Sequence, residues 1–148
     1  MTTIPNDNRM LDLFEEAERT ARIVSRLQEV KRVTSMLNGE PETDTTHTLM
    51  LALIAAGMCR DEVGDLDMGL VMIFALVHDL PEAYAGDVDT TRPLTPEQRA
   101  KKDADELAAI DRISEEVNWI GTYIKAYEGQ TSREARFVRV LDKVMPRI

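Results

Sequence analysis

The residues best able to do chemistry lie between Ala75 and Asp87, in ALVHDLPEAYAGD. His78 and Asp79 stand side by side at the end of an apolar run, followed by Glu82 and then by Gly86-Asp87. The other histidine of the chain, His47, heads a second apolar stretch. Imidazole and carboxylate are the ligand types that intermediate divalent metals favour. An ionised Asp after the largely aliphatic run Leu70 to Val77 costs free energy if buried alone, and a metal ion is one partner that removes the cost. A histidine at a helix end is more often a cap or a surface residue, and an HD dipeptide by itself is common. Taken together, His47, His78, Asp79, Glu82 and Asp87 turn the reading towards a site. Near the C-terminus, Asp142 shares a line at helical spacing with Ala135, Val138 and Met145. A carboxylate on an apolar line again needs a partner, either a metal or a basic neighbour.

The elements that must position these residues read as helices. Asn6 to Asn8 offer N-caps, and Phe14, Ala17, Ala21 and Val24, then Ile23, Leu27 and Val30, recur at helical spacing. That pattern predicts a bent helix, or two abutting ones, ending near Leu37, with Asn38-Gly39 and Pro41 as the stop. Polar ETDTT (Glu42 to Thr46) then opens a helix whose first turn holds His47, and LMLALIAAGMC makes it apolar all round, hence central. Gly64-Asp65 marks a turn before the helix Leu66 to Val77, and Pro81 suits the start of a short helix holding Glu82 near His78. Gly86 to Leu94 reads as a loop. Thr95 to Gln98 is a capping box opening a charged amphipathic helix to about Val117, whose charge run reads as a solvated face. Trp119 to Tyr127 is a further helix broken at Gly129, and Thr131 to Glu134 a second capping box before the last helix. No strand hairpin, repeat or low-complexity tract is expected.

The set resembles the HD-domain superfamily of metal-dependent phosphohydrolases, in particular the small bacterial 5′-deoxynucleotidases, from about Arg32 to Lys143. The late segment YEGQTSREARFVRVLDK adds to the likeness. The resemblance implies an all-α HD-domain bundle of about six helices around a central metal-bearing pair. It implies one divalent metal ion (Mn, Co, Fe, Zn or Mg) on His47, His78, Asp79 and Asp142. It makes Glu82 and Asp87 the catalytic residues, Arg32 the contact to substrate phosphate, and Val33 its substrate-binding neighbour. The implied reaction is hydrolysis of a nucleoside 5′-monophosphate. Two alternatives stay open: a deoxynucleoside triphosphate triphosphohydrolase, and a non-catalytic HD-fold nucleotide-binding module. The chain departs from the pattern in three places. Val33 stands where deoxyribose-selecting members commonly carry Trp, Thr46 where an acid commonly precedes the first His, and the chain ends six residues after Asp142. A compact or C-terminally shortened form is the expectation. A ferritin-like di-iron bundle is disfavoured, because neither histidine has a Glu three residues before it.

Bulk properties fit one domain over residues 1–148, with 43% hydrophobic and 30% charged residues. Lys+Arg 18 against Asp+Glu 27 gives a net charge of −9, which argues against duplex nucleic acid as a partner. A small nucleotide needs just a local cationic pocket. Cys59 is the single cysteine, so no intramolecular disulfide or thiolate cluster is expected. The N-terminus carries no cationic-then-apolar signal, and no uninterrupted apolar run nears ~18 residues. The expected setting is the cytoplasm, off the membrane, as a homodimer or higher homo-oligomer.

Overall fold

The structure, a computed structural model, describes residues 7–61 and 64–145. Asn6, one of the expected caps, lies outside the described residues. Helix α1 spans Asp7–Glu29, strands β1 and β2 Lys31–Ser35 and Pro41–Thr43, α2 Asp44–Asp61 and α3 Met68–Val77. After these come α4 (Glu82–Ala85), α5 (Pro96–Glu116), α6 (Asn118–Gly129) and α7 (Arg133–Val144). Among the described residues, six helices of ten residues or more and the single turn of α4 form the helical body, as the sequence implies, with the β1–β2 hairpin beside it.

Two apolar cores meet at α3. Val71, Phe74 and Ala75 pack with Leu51, Ala52 and Ala55 of α2, Tyr127 of α6, and Ala135, Val138 and Leu141 of α7. Val77, at the end of the same helix, joins Ile23 and Leu27 of α1, Ile110 and Ile113 of α5, and Ile120 and Ile124 of α6. A helix apolar on every face has to be surrounded. Its end therefore delivers the next residues, His78 and Asp79, to the seam between the cores. Asp67 caps its start, accepting from Leu70 N–H at 3.1 Å. The apolar window Met68–Ala85, with mean hydropathy 1.3, comprises this core helix, a turn through Pro81 and α4.

Four local readings are corrected. First, α1 ends at Glu29, and the chain to Thr43 forms a two-stranded antiparallel hairpin. Asn38-Gly39 serves as its turn, with Gly39 at φ 82° and Met36 N–H donating to the Glu40 carbonyl at 2.8 Å. The same dipeptide that can stop a helix closes a hairpin when β-branched residues such as Val33 and Thr34 precede it. Second, the buried face of α1 is Ile23 and Leu27, whereas Phe14 and Val24 are exposed. Third, the cap of α7 is Ser132, which accepts from Ala135 N–H at 3.1 Å. Glu134 does not close a box on Thr131; its Oε1 accepts from Asp67 N–H at 3.1 Å and ties α7 to the start of α3. Fourth, Gln130 rather than Gly129 takes the left-handed conformation after α6. The box at Thr95 and Gln98 is formed as expected.

Candidate metal centre

Three helices bring together the four side chains that could hold a metal ion. His47 sits in the first turn of α2, and the residue is 1% exposed. Thr43 Oγ1 accepts from Thr46 N–H at 3.2 Å and fixes that first turn. His78 and Asp79 leave the end of α3. Asp142 lies one residue past Leu141, whose side chain enters the core, so its carboxylate comes to the core's edge. His47 Nε2 is 2.7 Å from Asp142 Oδ1, and His78 Nε2 is 3.4 Å from the same oxygen. Asp79 Oδ2 lies 3.1 Å from His78 Nε2 and 4.0 Å from His47 Nε2. One ligand atom from each of the four residues lies within 4.8 Å of all the others.

A metal ion fits this set on the structure's own terms. His78 Nδ1–H donates to the Ala75 carbonyl at 2.7 Å, since a carbonyl can only accept. That bond orients the ring and aims Nε2 into the cluster, where Nε2 is buried without a hydrogen-bond partner. Two imidazoles and two carboxylates converging on one point are a donor set for an intermediate divalent cation. On the far side of His47, Glu42 Oε1 is 3.6 Å from Nδ1, where the ring proton goes when Nε2 offers its lone pair. Electrostatics agree. Burial opposes charging His78, but the neighbouring Asp79 and Asp142 outweigh it and hold the imidazole up at about 10. Burial would raise Asp142, and the hydrogen bond to His47 with the neighbouring His78 hold it well below the usual carboxylate range instead. The cluster attracts positive charge strongly.

A second group of acids stands next to it. Carboxylate oxygens of Asp44, Glu82 and Asp87 also lie within 4.8 Å of one another. Burial, then a hydrogen bond to Asp44 and the charge of Asp79, push Glu82 up to about 11, so it carries a proton. Burial and the charge of Asp44 raise Asp87 as well. Gly86, at φ 76°, makes the turn that brings Asp87 back beside Glu82.

Arg32 reaches into this region from β1, not from a helix end. Its Nη1 donates to Asp79 Oδ2 at 2.9 Å and to Asp44 Oδ1 at 3.1 Å. Alternation along β1 puts Arg32 and Thr34 on the half-buried face and Val33 on the other, 60% exposed. Val33 is therefore not brought to the cluster, contrary to the expected pairing with Arg32. Glu42 and Asp44 were read as helix-start residues, and both are buried at the site. Their polar context, ETDTT, looks like any capping segment, so nothing in it singles them out. An apolar groove of about 500 Å³ opens alongside, lined by Met36, Leu37, Met50, Ile54 and Met145 with Glu42 and His47 at its edge.

The HD domain family matches residues 24–148, which contain every residue of the cluster. The chain belongs to the HD domain family. Among curated proteins, this HD domain is 28% identical over 129 residues to 5'-deoxynucleotidase HDDC2 of Mus musculus. It is 27% identical over 126 residues to the Homo sapiens protein of that name. These alignments cover 84% and 82% of the chain, but just 63% and 60% of the relatives' own length. Among solved structures, it resembles a predicted metal-dependent phosphohydrolase from Magnetospirillum magnetotacticum MS-1. There the TM-score is 0.75 at 20% identity, over 89% of this chain and 69% of that one. A conserved hypothetical protein from Pyrococcus furiosus gives a TM-score of 0.65 at 20% identity, over 86% and 76%. At these identities the structural likeness speaks for the fold.

Proposed function

We propose that this HD domain is a phosphohydrolase that uses one divalent metal ion and releases phosphate from nucleoside 5′-monophosphates. The observation that carries the reading is the pairing of two clusters. His47, His78, Asp79 and Asp142 can form a ligand set, and the carboxyl groups of Asp44, Asp87 and the proton-holding Glu82 adjoin it. When bound, a divalent ion supplies Lewis acidity towards a phosphoryl oxygen and acidifies water. Arg32 meets the phosphate with its guanidinium, whose planar fork suits that anion. Water forms a bond to phosphorus as the bond to the 5′-oxygen breaks. Glu82 gives its proton to that leaving oxygen, and Asp87 takes the proton lost by the water. Glu82 ends as a carboxylate and regains a proton from Asp87 or from solvent.

A single phosphate suits the charge balance. Arg32 is bonded to Asp44 and Asp79 with Glu42 3.7 Å away, and Glu82, Asp87 and Asp142 belong to the same two acidic clusters, a strongly acidic surround for a triphosphate. The relatives named as 5'-deoxynucleotidases support the same substrate class. With Val33 turned away, nothing at position 33 builds a wall against ribose, so both sugars are accepted. The test is a screen of the metal-loaded protein against nucleoside mono- and triphosphates, following phosphate and triphosphate separately. Phosphate from monophosphates is the expected product. Release of triphosphate would move the reaction to the α-phosphorus, and no product at all would leave a binding module.

A further inference from the structure

Asp44 is the first residue of α2 and is 0% exposed. Its Oδ1 accepts from Arg32 Nη1 at 3.1 Å, and its carboxylate also takes the hydrogen bond from Glu82. A carboxylate buried this deeply is costly unless it is paired. The helix start does not require it, because Thr43 Oγ1 already accepts from the Thr46 N–H. What Asp44 does is hold Arg32. A guanidinium nitrogen Nη1 carries two N–H groups, and here they go to Asp44 Oδ1 and Asp79 Oδ2. A planar group pinned at one nitrogen by two carboxylates has little freedom to turn. The opposite nitrogen, Nη2, makes no hydrogen bond among the described residues.

We propose that Asp44 is a positioning residue for Arg32, pinning Nη1 against Asp79 so that the Nη2 edge faces the substrate phosphate. This rests on the phosphohydrolase reading given above. Without Asp44, Arg32 has Asp79 and the more distant Glu42 Oε2, 3.7 Å from Nε, to lean on. The guanidinium then turns to a two-bond fork with Asp79, which uses up Nη2.

The experiment is a double-mutant cycle on the full chain loaded with Mn²⁺, using inorganic phosphate as the probe and calorimetry as the readout. Asp44→Ala weakens phosphate binding about tenfold, the order expected for loss of a charged hydrogen bond, and raises KM for the nucleotide more than it lowers kcat. Asp44→Asn, which keeps an acceptor at Oδ1 and its volume, loses less and guards against misfolding. In an Arg32→Ala background, either change at Asp44 adds nothing further. Equal losses with and without Arg32, or parent-like phosphate binding by Asp44→Ala, would overturn the inference. A parent that shows the coupling yet hydrolyses no nucleotide would overturn the reaction and leave the positioning role standing. A parent that binds no phosphate would overturn the role given to Arg32, and this inference with it.

Discussion

His47 and Asp142 meet at 2.7 Å although 95 positions separate them in the chain. The contact joins the first turn of α2 to the last of α7 across the seam where His78 and Asp79 emerge. These groups are gathered only in the folded chain. A metal ion that binds the folded chain alone therefore stabilises it. Chelator-treated protein should gain about 2.7 kcal/mol at a free metal concentration near 100 times Kd. Thermal unfolding with and without added Mn²⁺ or Zn²⁺ measures this. His47→Ala should abolish the gain, and a variant that still responds fully would remove His47 from the ligand set.

Glu82 and Asp79 separate proton handling from metal holding. Glu82→Gln should keep its metal and lose ~10²–10⁴-fold in turnover, the usual size of a general acid–base contribution. Asp79→Asn should lose metal affinity, because a charged ligand becomes a weak neutral one. Metal content and turnover, read on the same preparations, distinguish the two. Glu82 would be a structural helix-start residue if its variant stayed active and metal-replete.

The candidate ligands were legible in part from buried charge, which has few physical excuses, and as a set of four from the family resemblance. His78-Asp79 after an aliphatic run and Asp142 on an apolar helical line each stood out before any fold was known. The surroundings were not. Asn38-Gly39 satisfies a helix stop and a hairpin turn equally well, so the sequence pattern runs a helix on through Arg32, which lies on β1. That error also hid the alternation that turns Val33 outward. Asp44 is invisible for another reason: in ETDTT it is a plausible cap, and its bond to Arg32 exists only once the hairpin has folded back onto α2. Glu134 likewise fits a capping box by spacing, and loses it to the Asp67 N–H across the fold.

Gly121 offers a test of packing that does not involve the site. A Cβ built there would sit 2.6 Å from Ser114 Cα, which is backbone and cannot swing aside. Gly121→Ala should push α6 away from α5 and destabilise the chain by ~1–3 kcal/mol, as overpacking does. Denaturant unfolding would show it as a lower midpoint, with turnover per folded molecule unchanged. An unaltered midpoint would mean the two helices are not so closely apposed.

Glu116 links α5 to α4 through Tyr84, whose hydroxyl donates to Oε2 at 2.6 Å, while Arg112 Nε donates to Oε1 at 3.0 Å. Burial opposes charging Glu116, but the Tyr84 and Arg112 bonds prevail and lower it from its ordinary 4.5. A carboxylate with a depressed folded value adds stability above its unfolded value and loses it as pH falls through the folded one. The stability gap between the parent and Glu116→Gln should thus be widest above about pH 4.5 and close below it. Melting temperatures of both proteins from pH 7 to 3 check this, and a gap that widens on acidification would reverse the sign.

The central claim is that the His47, His78, Asp79 and Asp142 cluster turns a bound metal into phosphate release. The most direct measurement titrates divalent metal into chelator-treated protein while following inorganic phosphate from a nucleoside 5′-monophosphate. Release should rise in proportion to bound metal, level off at one ion per chain, and be absent in Asp142→Ala at matched total metal. Undiminished phosphate release from metal-free parent, or from Asp142→Ala without bound metal, would contradict it.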